Sequence, residues 1–357
     1  MSQDKTALVV GASGISGSNL STLLIANQWK TYGLSRSPRS DIKGLIPVAA
    51  DLLDTASLTD ALKDIRPSHV FFTTWMKHDT EAENIRINSA LIRNLLQVLS
   101  PYQSVRHVSL VTGLKHYLGP FDAYVKSGVL PVTPVNEEHP RLTLDNFYYA
   151  QEDELYAAAE RDGFTWNIHR PHTVIGKAIG NAMNLGTTLA VYASICKREN
   201  LPFIWPGSAA QWNGISDVTD ARILAEQLLW AATTPGAHNE AFNVTNGDVF
   251  RWSTLWYQIA DWFGIAAQGF NETMRPLDGR LSAYSSIWKD IAAEHALIQP
   301  DMNKLTSAWH TDLDLGRPIE VMTDMSKSRK AGFTGYKSTR DSFFELFEQL
   351  RQERIIP

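Results

Sequence analysis

Cysteine is almost absent from this chain, since Cys196 is the only one among 357 residues. A single cysteine excludes a disulfide within the chain and any metal site built from several cysteines. No apolar run approaches the ~18 residues of a membrane span, and the opening residues, MSQDKT, do not resemble a secretory leader. The sequence therefore predicts a cytoplasmic protein, and the scarcity of cysteine fits a reducing compartment.

An excess of positive charge is also missing. Lysine and arginine together number 33 against 38 aspartates and glutamates, which gives a net charge of −5. This balance provides no electrostatic attraction toward nucleic acid or an anionic membrane. His116 and His169 lie far apart without the spacing of metal ligands, so we expect no metal site.

A glycine-rich turn follows the first apolar run of the chain. Residues 7–10 predict a short buried strand, and Gly11, Gly14 and Gly17 come next in a G-x-x-G-x-x-G spacing that leads into a helix. The first glycine permits a tight turn, the second lets the backbone approach phosphates, and the third lets the helix pack on the strand. The order of strand, turn and helix predicts a dinucleotide site, to which we also assign Ser13 and Ile15.

The end of the second predicted strand indicates which dinucleotide is bound. A carboxylate at this position would bind the ribose 2′-hydroxyl of NAD, but the strand ends in Ser35, Arg36 and Ser37. An arginine fork suits the 2′-phosphate of NADP. A solvated basic loop is the alternative; after the glycine turn, we favour NADPH.

Predicted strands and helices then alternate through the first half of the chain. Strands are expected at 29–34, 44–50, 69–73 and 105–111, and helices at 57–65 and 81–99. This alternation predicts an α/β fold with a Rossmann-type doubly wound parallel sheet. The cofactor should cross the carboxyl ends of the strands. At those ends we place Asp51, Leu52, Thr73, Thr74, Trp75, Thr112, Pro171, Thr173 and Val174.

The pattern changes after residue 120. It predicts a loop over 121–143, a helix over 145–161, a strand over 165–169 that is broken at Arg170-Pro171, a helix over 217–232 and an irregular stretch over 272–323. Asp217 and Asp220 are expected to cap the helix. We assign residues 1–175 mainly to an NADP-binding Rossmann domain. Residues 176–357 are assigned mainly to a smaller, mostly helical substrate-binding lobe, with segments at about 210–250 returning to the sheet.

The usual catalytic motif of short-chain dehydrogenases, Tyr-x-x-x-Lys, is missing. None of the eleven tyrosines has a lysine four residues later; at that offset Tyr148 has Glu152 and Tyr149 has Asp153. Either the chain is a non-catalytic NADPH-binding relative, or the lysine comes from another segment. Lys115, three residues after Thr112, can supply it from the edge of the sheet.

Several motifs resemble those of a known family, the progesterone 5β-reductase/iridoid synthase-like enzymes, which are atypical extended short-chain dehydrogenases. They include GASGISG, LSRSP, TTWM, TGLKHYLGPF, NFYYAQED, WNIHRPHTVIG and DMSKSRKAGFTGY, in the family's order along nearly the whole chain. The resemblance implies that Lys115 and Tyr148, the first of the tyrosine doublet, are the catalytic pair. It also implies that Phe121 borders the substrate beside the nicotinamide. We add Met183 of the second lobe to the substrate site.

The activity implied by the resemblance is NADPH-dependent enone 1,4-reduction. Hydride goes to the β-carbon of an α,β-unsaturated ketone or aldehyde, and Tyr148 and Lys115 stabilise the enolate. The 11 tryptophans suggest an apolar pocket for a small hydrophobic enone. The alternatives are a carbonyl reductase or sugar-nucleotide epimerase of the same class, and a non-catalytic NADPH-sensing regulator. Assembly as a homodimer is left open.

Overall fold

A seven-stranded parallel sheet forms the centre of the computed structural model, which describes residues 5–38, 42–120 and 131–357. The strands are β1 (Thr6–Val10), β2 (Lys30–Ser35), β3 (Ile46–Ala49), β4 (His69–Phe72), β5 (His107–Val111), β6 (Thr165–Pro171), β7 (Val174–Ile175), β8 (Phe203–Ile204), β9 (Thr219–Asp220), β10 (Glu240–Val244) and β11 (Ala267–Gln268). The order in the large sheet is β10-β6-β5-β4-β1-β2-β3, with every neighbouring pair parallel.

Helices cover both faces of this sheet. The helices of the described residues are α1 (Ile15–Ala26), α2 (Thr55–Leu62), α3 (Glu81–Leu99), α4 (Lys115–Leu118), α5 (Phe147–Asp162), α6 (Leu185–Glu199), α7 (Ala209–Asn213), α8 (Ala221–Thr233), α9 (Trp252–Phe263), α10 (Ser285–Glu294), α11 (Ala308–Leu315), α12 (Ser326–Lys330) and α13 (Thr339–Gln352). Helices α1 and α8 pack on one face, and α2, α3 and α5 on the other. Within the described ranges, no helix has both the length and the apolar character needed to cross a bilayer.

Strand β1 shows why the chain folds in this way. All five of its residues are buried, as its apolar run predicts. Alternate side chains point to opposite faces, so Val9 packs with α1 and α8 while Leu8 and Val10 pack with the α3 side. The predicted doubly wound Rossmann fold is confirmed.

A second hydrophobic core lies in the C-terminal half, among α6, α9, α10 and α13. Its largest members are aromatic, and the rings of Phe203 and Trp256 stack with their centres 3.9 Å apart. Trp205 and Trp288 are fully buried in the same core. Much of the tryptophan surplus therefore lies in this core.

Apart from shifts of up to three residues at the ends of elements, three local predictions differ from the structure. Strand β6 does not break at Arg170 but continues to Pro171, which pairs with Val244 of β10. A proline is tolerated there because β5 ends at Val111, opposite His169, so no residue of β5 lies beside Pro171 to need its missing N–H. Helix α8 begins at Ala221, so Asp220 caps it through the Arg222 amide, whereas Asp217 does not cap it. The stretch over 272–323 contains the helices α10 and α11.

Candidate active site

A cleft of about 570 Å³ opens at the carboxyl ends of β1, β4, β5 and β6. It brings together most of the predicted site residues: Gly11, Ser13, Gly14, Ile15, Arg36, Thr73, Thr74, Trp75, Thr112, Lys115, Tyr148, Pro171, Thr173, Val174 and Met183. As far as the chain is described, the lining does not include Gly17, Ser35, Ser37, Asp51 or Leu52. Phe121 lies outside the described residues.

The predicted residues outside the lining have other positions. Gly17 lies behind the glycine turn, where an added Cβ would come within 2.3 Å of the Gly11 carbonyl oxygen. Ser35 lines a neighbouring groove of about 650 Å³ along α1. The Leu52 carbonyl accepts a hydrogen bond from Asn94 Nδ2 at 2.9 Å, which holds the turn after β3 against α3. Gly17 therefore has the packing role that its position in the motif predicts.

The glycine turn forms a cradle that fits a pyrophosphate. Gly11 has a φ of +86°, and a Cβ there would lie 2.8 Å from Thr74 Cβ, so the position demands glycine. Helix α1 begins directly after Gly14, and no side chain of the described residues caps it. Its first amides can therefore donate to an anion in the cleft. With Arg36 in the same lining, these residues fit a phosphorylated dinucleotide.

Lys115 and Tyr148 come from two segments that meet at the cleft. Lys115 Nζ lies 5.9 Å from the centre of the Tyr148 ring and 4.3 Å from that of Phe147. Asn146 joins the segments, because its Oδ1 accepts from the Tyr148 amide at 3.0 Å and its Nδ2 donates to the Lys115 carbonyl at 2.7 Å. The Tyr148 hydroxyl faces Gly113, at 3.4 Å from where a Cβ on that glycine would be. The lysine and tyrosine thus share one cleft without sharing a helix.

The second tyrosine of the doublet is engaged elsewhere. Tyr149 Oη donates to the His116 carbonyl at 2.5 Å and accepts from the Leu142 amide at 3.0 Å. Burial raises the pKa of Tyr149. Tyr148 lines the cleft, and Tyr149 does not within the described part of the chain. This difference favours Tyr148 as the residue that meets a substrate.

A buried charge network supports α5 from behind. The carboxylate of Glu152 contacts Arg141 Nη2 at 2.8 Å, Arg170 Nη2 at 3.3 Å and His116 Nδ1 at 3.4 Å. Burial alone would raise the pKa of Glu152, but the adjacent His116 and the charge of Arg170 outweigh it and hold that pKa below its usual value. Tyr117 completes the network through Arg170. These contacts fix the helix that carries Tyr148.

His172, directly after β6, is held between two charged groups at the cleft. Its Nδ1 lies 2.6 Å from Asp217 Oδ1, and its Nε2 lies 2.6 Å from Arg317 Nη1. A guanidinium only donates, so Nε2 is the acceptor and the proton is on Nδ1. These two contacts fix the orientation of the His172 ring.

Asp314 and Arg317 are site residues that sequence reasoning missed. Asp314 Oδ2 accepts from Thr173 Oγ1 at 2.6 Å, and its other oxygen pairs with Arg317. Burial would raise the pKa of Asp314, but the charge of Arg317 outweighs it and lowers that pKa. Both residues line the cleft together with His310. No motif marks them, because they lie in a stretch whose pattern is irregular.

The comparison with solved structures concerns the fold of the chain. The chain resembles UDP-glucose 4-epimerase of Thermotoga maritima, solved with UDP-glucose, with a TM-score of 0.68 and 14% sequence identity. The match covers 97% of this chain and 99% of that one. At this identity the likeness concerns the fold alone. It agrees with the Rossmann-type sheet and glycine turn described above.

Sequence comparison defines the family of the chain. The model of the PRISE-like Rossmann-fold domain matches residues 49–357. A 3-oxo-Delta(4,5)-steroid 5-beta-reductase of Arabidopsis thaliana is 37% identical, over 99% of this chain and 94% of its own length. An (S)-8-oxocitronellyl enol synthase of Camptotheca acuminata is 36% identical, over 98% of this chain and 93% of its own length. The chain belongs to the PRISE-like family, and the predicted membership is confirmed.

Proposed function

We propose that this chain is an NADPH-dependent enone 1,4-reductase in which Lys115 and Tyr148 are the catalytic pair. The observation that carries the proposal is the meeting of these two side chains in the cleft beside the glycine turn. A non-catalytic regulator would not need such a pair. The steroid 5-beta-reductase and the enol synthase among its relatives support a reductase acting on a conjugated carbonyl compound.

The geometry suits charge stabilisation at a carbonyl oxygen. NADPH, when bound, supplies hydride to the β-carbon of the enone. The Tyr148 hydroxyl donates a hydrogen bond to the carbonyl oxygen, on which negative charge builds as the enolate forms. Lys115 adds positive potential from a position that is 95% buried, where charges are screened less than in water. A preorganised donor of this kind contributes several kcal/mol to the transition state.

The cofactor and substrate assignments extend this proposal. Arg36 binds the 2′-phosphate, with Ser35 and Ser37 beside it, while Asp51 and Leu52 border the adenine. Met183, and Phe121 outside the described residues, border a small hydrophobic enone. In this scheme residues 1–175 mainly bind NADPH, and residues 176–357 mainly form the substrate lobe, with segments at about 210–250 returning to the sheet.

Reduction of 2-cyclohexen-1-one with NADPH tests the activity. The proposal expects cyclohexanone as the product, whereas a carbonyl reductase would form the allylic alcohol. Tyr148→Phe should lower kcat by roughly ten- to a thousandfold, because one oxyanion donor is removed. It should leave NADPH affinity nearly unchanged, since Gly11 and Gly14 hold the phosphates. Lys115→Met should also lower kcat.

Tyr149→Phe is the matched control, because it removes the same hydroxyl from the next residue. It should keep kcat within a few-fold of the wild type. A crippled Tyr149→Phe beside an unaffected Tyr148→Phe would reverse our choice within the doublet. If Tyr148→Phe and Lys115→Met both kept full activity, the proposed mechanism would have to be abandoned.

For location and assembly we propose the cytoplasm and a homodimer. The single cysteine, Cys196, is buried and free within the described residues, which suits a reducing compartment. Light scattering of the purified chain measures the assembly state, and a monomer at micromolar concentration would refute the dimer. Fractionation of cells that express the native chain tests its location.

A further inference from the structure

Glu81 contacts both segments that carry the proposed catalytic pair. It is the first residue of α3, where Thr80 caps the helix through the Glu83 amide. Glu81 Oε1 accepts a hydrogen bond from the Phe147 amide at 2.8 Å, and Oε2 lies 3.6 Å from Lys115 Nζ. One carboxylate thus joins the beginning of α5 to the ammonium group of Lys115.

This chain needs such a bridge because its lysine and tyrosine do not share a helix. In a Tyr-x-x-x-Lys pair, the backbone of one helix places both side chains on the same face. Here Asn146 links the two backbones, but it leaves the end of the Lys115 side chain unspecified. Lysine has a flexible four-carbon stem, so its charge is placed only where a partner holds it. The Glu81 carboxylate, 3.6 Å away, is such a partner, because opposite charges attract across a buried site that screens them less than water does.

We propose that Glu81 is the positioning residue that holds the Lys115 ammonium group beside Tyr148. The Phe147 amide fixes one oxygen of the carboxylate, and Asn84 Nδ2 donates to the other at 3.1 Å. The carboxylate is therefore itself held in place, with its side chain 19% exposed. Glu81 acts through Lys115 and does not touch the substrate. The effect of Glu81 on kcat depends on the proposed enone reduction. The position that it gives to the Lys115 ammonium group does not depend on that activity.

The kinetic test uses Glu81→Gln in the full-length chain. Glutamine keeps a carbonyl oxygen for the Phe147 amide but loses the charge that attracts Lys115. We expect kcat for 2-cyclohexen-1-one to fall about ten- to a hundredfold, as when a catalytic group is displaced by ~1 Å. The enone KM and the Tm should change little. In a Lys115→Met background, Glu81→Gln should cost less than twofold, because its target is gone.

Glu83→Gln is the matched control on the same helical turn. Glu83 pairs with Arg86 at 2.6 Å on the surface, so the same chemical change there should leave kcat unaltered. An undiminished kcat in Glu81→Gln would overturn the proposal. Equal losses with and without Lys115 would also overturn it, because they would show a role independent of the lysine.

Crystal structures with NADP⁺ separate this proposal from the activity itself. A wild type that reduces no enone would refute the proposed function, but it would not affect the comparison of structures. Lys115 Nζ should move by more than about 1 Å between wild type and Glu81→Gln, and should stay in place in Glu83→Gln. An unmoved Nζ in Glu81→Gln would refute the positioning role even if kcat fell.

Discussion

His169 should make the folded chain sensitive to acid. The residue lies on β6, is fully buried, and has its pKa lowered by burial from 6.5 to about 4. Its Nδ1 donates to Gln227 Oε1 at 2.8 Å, and within the described residues its Nε2 has no hydrogen-bond partner. A proton on Nε2 would therefore place a charge in the core without an acceptor.

The sign of the effect follows from the two pKa values. Below pH 6.5 the unfolded chain binds a proton at His169, while the folded chain binds it only below about pH 4. Stability is therefore unaffected above pH 6.5 and falls as the pH drops from 6.5 to 4. The full difference between the two pKa values corresponds to about 3 kcal/mol in the free energy of unfolding. Of this stability, about 2.5 kcal/mol is lost by pH 4.5.

His169→Asn removes the titrating group and isolates its contribution. The variant should be less stable than the wild type at pH 7.5, because it loses packing in the core. The difference in the free energy of unfolding between variant and wild type should then shrink by about 2.5 kcal/mol at pH 4.5. At that pH only the wild type is destabilised by protonation at this position. Urea unfolding followed by tryptophan fluorescence at both pH values gives the two differences.

The exposed His295 provides the control, because His295→Asn makes the same substitution at the surface. The difference in the free energy of unfolding between His295→Asn and the wild type should be the same at both pH values. If the stability of His169→Asn and of the wild type changed by equal amounts between pH 7.5 and 4.5, the buried position of His169 would not be the cause of the acid sensitivity.

Three further changes test the cofactor site and the tyrosine doublet. Arg36→Ala should raise the KM for NADPH far more than that for NADH in steady-state assays, and equal use of both cofactors by the wild type would refute the assignment. Gly17→Ala should abolish NADPH binding measured by fluorescence titration or prevent folding, because the new Cβ would meet the Gly11 carbonyl at 2.3 Å; unchanged affinity would contradict this. Tyr149→Phe should lower the free energy of unfolding by about 1–3 kcal/mol, since it leaves the buried His116 carbonyl without its donor, and an unchanged urea midpoint would contradict that reasoning.

The helix α3 shows how much of the fold could be predicted from the sequence. Its predicted bounds, 81–99, are those of the structure, because apolar residues recur at helical spacing and Thr80 supplies a cap. The end of β6 was predicted wrongly at His169, because a proline lacks the N–H that a strand needs and Arg170-Pro171 therefore indicates a break. Pro171 is accommodated because β5 ends at Val111 while β10 continues beside it, and the local sequence does not specify where neighbouring strands end.

The candidate site could be predicted only where a local motif accompanies it. The glycine turn, Arg36 and the pair of Lys115 and Tyr148 all follow from motifs. Glu81 could not be found in this way, because a glutamate in the first turn of a helix is expected simply from the helix dipole. Arg317 could not be found either, since its contact with His172 joins residues that are distant in the chain.

The bonds from Thr173 to Asp314 and from His172 to Arg317 connect the end of β6, which lines the cleft, to the region of α11. A ligand that shifts either side of this connection must disturb the other. Binding of substrate and of NADPH should therefore be energetically coupled. By reciprocity, whatever factor the dinucleotide adds to enone affinity, the enone adds to dinucleotide affinity. Thr173→Val removes the hydrogen bond to Asp314. In this variant the factor by which one ligand changes the affinity for the other should approach one, so that the two ligands bind independently.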